Sequence, residues 1–142
     1  YPDRVIPAFC HGAAKGHHIR VDGSHNIFDF TYLEDVIQGV LSLTRLLSQE
    51  GTSLPPIHLV SGNPISLGQI AEIARQASYY PIQITEKNSR SFDVSKFWGD
   101  TSRAQKILHW KACVNVEEGM NRLINQYRMM VNIKQSLAQA IR

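Results

Sequence analysis

Several residues of the types that bind metals lie close together near the start of the chain. His11, His17, His18 and His25 lie within fifteen residues, with Cys10 beside them. Imidazole and thiolate groups are ligands that zinc prefers. However, the spacings match no recognised ligand pattern, and a helix end followed by a turn explains these positions. We therefore expect surface histidines and no metal site.

The sequence lacks the motifs from which a self-contained enzyme is usually built. It has no G-x-G-x-x-G or G-x-x-G-x-x-G loop to hold a pyrophosphate. No tyrosine is followed by a lysine four residues later, so a helical Tyr/Lys pair for proton transfer is absent. The motifs H-E-x-x-H and G-x-S-x-G are absent too. We assign no catalytic, cofactor-binding or metal-binding residue to this chain.

The composition predicts an ordinary globular chain with a mild positive charge. It is 43% hydrophobic and carries a net charge of +3, with basic residues that are scattered. We expect no nucleic-acid partner, because no basic stripe or aromatic-basic motif is present. No apolar run approaches the roughly 18 residues of a membrane helix, so we expect no membrane partner. The two cysteines, far apart in sequence, predict reduced thiols in a cytoplasmic protein.

The elements that must position any site begin with a helix and a strand. The stretch "RVIPAFCHGAAKG" has the apolar spacing of a helix, and Gly16 is a suitable C-cap. The stretch "HIRVDG" predicts a strand with Ile19 and Val21 on one face and Arg20 on the other.

The stretch "IFDFTYLEDV" predicts a second strand that leads into a helix. Strand alternation places Asp29 opposite Phe28 and Phe30. Thr31 precedes Glu34 by three residues, the spacing of a capping box. Apolar residues then recur at helical spacing until Gly51 ends the helix: Leu33, Val36, Ile37, Val40, Leu43 and Leu47.

The middle of the chain predicts a further strand, helix and strand. The stretch "PPIHLVSG" predicts a buried strand followed by a loop. Ser66 and Gln69 form a second capping-box pattern, and a helix over about 67 to 78 follows. The residues "IQI", 82 to 84, predict a short strand.

The last third predicts an irregular loop and two helices. Asp100 can cap a short helix, Trp110 is expected in the core, and the last helix runs from about residue 116. The fold class is therefore α/β (mixed α+β), with helices and too few short strands for a full doubly wound sheet. Apolar anchors are expected to hold the loop of residues 86 to 100: Phe92, Val94, Phe97 and Trp98.

Four phrases in one order resemble a known family. They are "RVIPAFCHGAAKG", "FDFTYLEDVIQGVL", "HLVSGNPISLGQIAEI" and "SRSFDVSKFWGDTSRAQKILHWKACVNVEEGMNRLI". Together they resemble the C-terminal portion of extended short-chain dehydrogenases/reductases, specifically the NAD(P)-dependent epimerase/dehydratase group that acts on nucleotide sugars. The resemblance implies a substrate-binding domain over residues 1–128 and a C-terminal helical extension over 129–142.

The resemblance also explains the missing motifs. In that family an N-terminal Rossmann domain carries the glycine loop and the Tyr/Lys pair, and binds NAD or NADP. We therefore expect this chain to lack the Rossmann half, to bind no cofactor by itself and to be inactive alone. Its expected partners are a nucleotide-sugar substrate and the missing Rossmann domain, and a homodimer is left open.

The resemblance implies a set of substrate-binding residues. The segment of Val5, Ile6 and Pro7 is expected to border the nucleotide, and the strand of Ile19, Arg20 and Val21 to lie with its backbone against the base. Arg90 is expected to meet the diphosphate or ribose, since a guanidinium can donate two parallel hydrogen bonds to phosphate oxygens. A solvated loop arginine is the alternative. Asp29 and Asp35 are expected to fix backbone and not to touch ligand.

Two positions depart from the family pattern. Phe28 stands where an arginine usually precedes "DF", and His58 stands where an asparagine is common. We include both among the substrate-binding candidates. Phe28 keeps one alternative open beside the nucleotide-sugar enzyme, a 3β-hydroxysteroid dehydrogenase-like oxidoreductase of the same fold. A free-standing, non-catalytic binding domain that lost its Rossmann half is the other alternative.

Overall fold

The computed structural model describes residues 4–49, 51 and 53–140. Within these residues the chain forms helices joined by short strands, so the predicted mixed α/β class is confirmed. None of the described helices is long and apolar enough to cross a membrane. The elements are α1 (Val5–Lys15), β1 (Ile19–Asp22), β2 (Ile27–Phe28), α2 (Leu33–Leu47), β3 (Ile65–Ser66), α3 (Leu67–Gln76), β4 (Ile84–Lys87), β5 (Lys96–Phe97), α4 (Ser102–Leu108) and α5 (Val116–Ala140).

The chain divides into two compact units. The first comprises Tyr1–Asn26, Ser66–Asp93 and Glu117–Arg142, and the second comprises Ile27–Ile65 and Val94–Val116. The helix α5 continues unbroken past residue 128. The boundary between 1–128 and 129–142 therefore stays a prediction.

The core of the first unit lies between α1, α3, β1 and α5. Helix α1 ends as predicted at Gly16, which adopts a left-handed backbone with φ of 70°. A side chain there would be strained, and its Cβ would lie 2.8 Å from Tyr80. The buried apolar side chains of this unit are Phe9, Cys10, Ala13, Ala14, Ile19, Val21, Leu67, Ile70, Ala71, Ala74, Met120 and Ile124.

A two-stranded parallel sheet contributes side chains to this core. Strand β1 pairs with β4 in a register that opposes Ile19 to Ile84 and Asp22 to Lys87. The predicted alternation of β1 is confirmed, since Ile19 and Val21 are buried and Arg20 is exposed. The strand predicted over 82–84 lies further along the chain, because pairing with β1 begins only at Ile84.

Helix α3 begins at the predicted capping box. The Ser66 hydroxyl accepts a hydrogen bond from the Gln69 amide, and the Gln69 side chain accepts one from the Ser66 amide. These two bonds satisfy amides that the first turn leaves without helical partners. At the other end of α3, Arg128 of α5 donates from Nη2 to the Ala77 carbonyl at 2.7 Å. Both ends of α3 are thus held by side chains.

The second unit contains a three-stranded sheet in the order β3-β2-β5. Strand β2 is shorter than predicted and covers only Ile27 and Phe28. The reason is its partner, because β5 offers only Lys96 and Phe97 for pairing. The capping box predicted at Thr31 is wrong, since α2 has Tyr32 as its N-cap with no side-chain capping bond.

Two further predictions for the second unit are wrong. The stretch "PPIHLVSG" forms no strand, and its residues are half-buried or exposed. A strand needs a neighbouring strand to pair with, and apolar composition does not reveal whether one is present. The loop anchors are not buried either. Apolar side chains of an irregular segment enter a core only where the backbone runs along it. The exposed fractions are 76% for Phe92, 59% for Val94, 65% for Phe97 and 52% for Trp98.

The core of the second unit is organised around Asp35 and Trp110. Trp110 is 6% exposed, which confirms its predicted place in the core, and its indole Nε1 donates to the Asp35 carbonyl at 2.8 Å. The Asp35 carboxylate accepts from the amides of Cys113 at 3.1 Å and Val114 at 2.9 Å. Asp35 therefore binds loop amides, as predicted. Gly39 permits this packing, because a Cβ there would lie 2.7 Å from the Leu59 side chain.

Both cysteines are free thiols in different surroundings. Cys10 is buried, and its thiol lies 3.8 Å from the Met120 carbonyl. Burial raises the pKa of the Cys10 thiol to about 12. Cys113 is exposed.

We expect one fast-reacting thiol in the folded chain. A disulfide reagent such as Ellman's reagent at pH 8 should modify Cys113 and leave Cys10 unreacted, because the thiolate is the nucleophile and Cys10 holds its proton. Cys113→Ser should remove the fast reaction, and urea should expose the second thiol. Fast modification of two thiols in the native chain would contradict this assignment.

Candidate functional site

The candidate residues fall in both units of the fold. Phe28 and His58 lie in the second unit. The first unit holds the others: Val5, Ile6, Pro7, Ile19, Arg20, Val21 and Arg90.

Val5, Ile6 and Pro7 form the first turn of α1. All three side chains are half-buried. Pro7 is tolerated there because the amides of a first turn have no partner within the helix. The turn therefore presents a partly exposed apolar surface. Whether a nucleotide lies against it stays a prediction.

Strand β1 can offer a ligand its backbone and Arg20. Ile19 and Val21 are 2% and 1% exposed, so their side chains belong to the core. Arg20 is exposed and donates to Asp22 from Nε at 2.7 Å and from Nη2 at 3.2 Å. Only the backbone of Ile19 and Val21 is thus available for the predicted contact with a base.

Arg90 lies in the loop after β4, where its neighbours orient its cationic group. Its side chain is 59% exposed, and Nε lies 3.3 Å from the Asp93 carboxylate. The same carboxylate accepts the Arg90 amide at 2.9 Å. The guanidinium carbon lies 5.1 Å from the centroid of the Phe92 ring. A guanidinium has five N–H donors, so the contact with Asp93 leaves capacity for phosphate oxygens.

Sequence reasoning missed Asp93 as the residue that holds Arg90. The pKa of the Asp93 carboxyl is lowered, first by the hydrogen bond from the Arg90 amide and then by the Arg90 side chain. The signal was available, since opposite charges stand three residues apart in "RSFD". The loop turns back there, and the Asp93 amide donates to the Arg90 carbonyl at 3.1 Å.

Phe28 belongs to an aromatic surface of the second unit. Its ring centroid lies 6.1 Å from that of Phe30. In the sheet Phe28 is paired with Phe97, which is 65% exposed. Paired residues of neighbouring strands point to the same face. The position at which the sequence resemblance implies an arginine thus carries an apolar side chain, and so does its paired neighbour.

His58 is exposed and bonded to the loop before α4. Its Nδ1 accepts from the Asp100 amide at 3.3 Å. The pKa of the Asp100 carboxyl is lowered, first by the amide and hydroxyl of Ser102 and also by the charges of His58 and Arg103. Asp100 thus binds the first amide of α4, which supports its predicted capping role, although Thr101 is the N-cap.

Asp29 fixes backbone, as predicted. Its carboxylate accepts from the Ser61 amide at 3.0 Å, the Ser61 hydroxyl at 2.6 Å and the Gly62 amide at 2.8 Å. Gly62 has a φ of 77°, which an L side chain rarely adopts. A carboxylate with three donors is committed to this turn.

The histidines near the start of the chain do not converge on a metal position. The His11 ring packs edge-on against Tyr127 at 5.5 Å and lies 6.2 Å from the His17 ring. The pKa of His11 is lowered by burial and by the charges of Lys15 and His17. In the part of the chain that the structure describes, no group of three or more His, Cys, Asp or Glu could hold a metal ion.

Comparisons with known proteins identify relatives of one kind. No family model matches the chain. It is 32% identical over 110 residues to a UDP-glucuronate 4-epimerase of Thermodesulfobacterium geofontis, a match that covers 77% of this chain and 32% of the relative. It is 23% identical over 126 residues to UDP-glucuronic acid decarboxylase 1 of Arabidopsis thaliana, covering 88% of this chain and 28% of that protein.

The fold is also found in solved structures. The structure of MoeE5 in complex with UDP-glucose and NAD matches with a TM-score of 0.81 and 19% identity, over 92% of this chain and 43% of that chain. The chain thus spans about a third of the length of the curated relatives that it matches. Its fold is that of a C-terminal portion of such proteins.

We expect Asp29 and Ser61 to be energetically coupled. Asp29→Ala should lower the free energy of unfolding by roughly 1.5–3 kcal/mol, because charge-assisted bonds to two amides are lost. Ser61→Ala should cost about 1 kcal/mol, and the double variant should cost less than the sum. Urea unfolding of the four proteins measures the coupling. Strict additivity would show that the Ser61 hydroxyl and the Asp29 carboxylate do not interact.

Proposed function

We propose that this chain, which belongs to the nucleotide-sugar epimerase/dehydratase family of extended short-chain dehydrogenases/reductases, forms the substrate-binding portion of an NAD(P)-dependent enzyme. The substrate is a nucleotide sugar. The reaction is an epimerisation, dehydration or decarboxylation that begins with oxidation of the sugar. An N-terminal Rossmann portion completes the enzyme, and the portion present here is inactive alone.

The observation that carries the proposal is the similarity to the UDP-glucuronate 4-epimerase. It extends over 110 residues at 32% identity and so includes most of this chain. The second curated relative acts, by its name, on UDP-glucuronic acid as well. Both names point to a uridine diphosphate sugar, whose diphosphate needs a cationic contact.

Arg90 is our candidate for that contact. It is exposed, and the bonds that Asp93 makes to its amide and to Nε fix the direction of the side chain. Such preorganisation reduces the entropy lost when the side chain binds a ligand. Arg20 could supply further charge from β1. The base would be bordered by the backbone of β1 at Ile19 and Val21 and by the first turn of α1, which comprises Val5, Ile6 and Pro7.

The chemical step would rely on groups outside this chain. NAD(P) would supply the hydride acceptor for a sugar carbon, and the family's tyrosine, outside this chain, would take the proton. The present chain has no glycine loop and no Tyr-x-x-x-Lys pair. Its contribution would be to hold the nucleotide so that the sugar carbon meets the cofactor in a reactive geometry.

A second candidate substrate is a hydrophobic alcohol such as a sterol. The aromatic surface of Phe28, Phe30 and Phe97 favours it, because an apolar group stands where a phosphate ligand is usual. Burial of apolar substrate surface against an apolar side chain is favourable. Such a side chain has no charge and no hydrogen-bond donor for a diphosphate. The enzyme would then be an oxidoreductase of the 3β-hydroxysteroid dehydrogenase type.

Replacing Arg90 should weaken binding of the nucleotide sugar. In the full-length enzyme we expect Arg90→Ala to reduce the affinity for UDP-glucuronate by about 1.5–3 kcal/mol, the range for hydrogen bonds to charged groups. Isothermal titration calorimetry measures the change. Arg45→Ala is the matched control, since Arg45 is an exposed arginine of α2 that we place outside the site. Equal affinities of the wild type and Arg90→Ala would remove Arg90 from the site.

The two substrate classes can be separated at Phe28. For a nucleotide sugar, Phe28→Arg should preserve or increase the affinity for UDP, because it restores a cation at this position. For a sterol, the same change should abolish turnover, since a charge would meet apolar surface. Turnover of both substrate classes by the full-length wild type should favour the sugar. Sugar products are followed by chromatography, because the hydride returns to the sugar and no NAD(P)H accumulates, and sterol oxidation is followed by NAD(P)H absorbance. Turnover of sterols alone would reject our first proposal.

A further inference from the structure

Phe92 is an exposed aromatic residue with a defined partner. The sequence predicts this residue as an apolar anchor of its loop, yet it is 76% exposed. A single exposed apolar side chain is common at protein surfaces and by itself indicates no function. The Phe92 ring, however, lies beside a cation, because the guanidinium carbon of Arg90 is 5.1 Å from the ring centroid. That distance is within the range of an attractive cation–π contact.

The turn of residues 90–93 fixes the position of Phe92 relative to Arg90. The Asp93 carboxylate accepts a hydrogen bond from the Arg90 amide at 2.9 Å, and the Asp93 amide donates to the Arg90 carbonyl at 3.1 Å. These reciprocal bonds close the turn, and the Asp93 side chain is only 18% exposed. The backbone therefore holds Phe92 within reach of the Arg90 side chain.

Two contacts of different kinds restrict the Arg90 guanidinium. Asp93 accepts a hydrogen bond from Nε at 3.3 Å, and the ring of Phe92 lies against the cationic group. Among the residues that the structure describes, Nη1 and Nη2 of Arg90 have no acceptor. These two nitrogens carry four of the five N–H donors of a guanidinium, and together they match two phosphate oxygens. The restricted group thus keeps the donors that a diphosphate would use.

We propose that Phe92 positions Arg90 for the diphosphate of the substrate, an inference that rests on the function proposed above. The attraction between ring and cation favours the observed rotamer over the many others that an exposed arginine samples. The apparent dissociation constant of a ligand that needs this rotamer is the intrinsic constant divided by the fraction of molecules that already adopt it. Phe92 therefore strengthens binding through Arg90 and needs no contact with the substrate.

The full-length enzyme allows a test with two ligands, UDP and uridine, of which uridine lacks the phosphates. In isothermal titration calorimetry we expect Phe92→Leu to weaken UDP binding about two- to fivefold, the factor that corresponds to an exposed cation–π contact. The affinity for uridine, measured by displacement of UDP, should not change. Phe92→Trp should retain the affinity for UDP, because it keeps an aromatic face. In an Arg90→Ala background, Phe92→Leu should have no further effect.

Tyr79→Leu is the matched control. Tyr79 is 81% exposed, and the guanidinium carbon of Arg128 lies 3.7 Å from its ring centroid. It thus makes the same kind of contact at a position that we place outside the site, and its replacement should leave UDP binding unchanged. Circular dichroism should show the wild-type unfolding midpoint for Phe92→Leu, since the Phe92 side chain is exposed.

The outcomes separate this inference from the proposed function. If Arg90→Ala weakens UDP binding and Phe92→Leu does not, or if the two effects are additive, the positioning role is wrong while the diphosphate contact stands. Equal losses for uridine and UDP would also overturn it, because the ring would then contact the base or support the fold. If the wild type does not bind UDP, or Arg90→Ala binds it equally well, the diphosphate contact fails and this inference fails with it.

Discussion

Two aspartates of the second unit, Asp29 and Asp35, bind backbone amides in segments that form neither helix nor strand. Asp29 accepts from Ser61 and Gly62, and Asp35 accepts from Cys113 and Val114. Strands of two residues supply few ladder bonds, so partly buried loop amides need other acceptors. A carboxylate is the strongest acceptor a side chain offers for this purpose. The irregular segments around Trp110 and after "PPIHLV" keep their shape through these two groups.

This use of carboxylates decides which residues remain for a ligand. Asp29 stands between two phenylalanines, yet its oxygens are committed to the Ser61–Gly62 turn. The chemistry offered by that short stretch is therefore that of Phe28. In the first unit a carboxylate leaves its partner available to a ligand, because Asp93 orients the Arg90 side chain while that side chain stays exposed. The segment of Phe28 offers an apolar surface, and the segment of Arg90 offers an oriented cation. Variants at both positions are therefore needed to identify the substrate class.

The helices were predictable from the sequence and the strands much less so. Helix α1 with its Gly16 cap, and α3 with its Ser66–Gln69 box, follow from contacts within a few residues. The box expected at Thr31 failed although its spacing was right, because α2 begins after Tyr32. Strand β2 and the stretch "PPIHLVSG" depended on partners that the sequence does not reveal. Of the candidate site, the exposure of Arg90 and Arg20 could be expected. The hydrogen bonds that Arg90 donates to Asp93 were missed, although the opposite charges in "RSFD" indicated them.

Short-range patterns were enough to identify the family, the mixed α/β class, two of the helix caps, and the roles of Asp29, Asp35 and Trp110. These features depend on residues whose chemistry allows few alternatives. The packed fold was needed to establish that Phe28 is paired with the exposed Phe97, and that Phe92 and Trp98 face outward. Burial is a property of the packed elements together. An apolar side chain is driven from water wherever a neighbour can cover it, and the sequence does not state which neighbours those are.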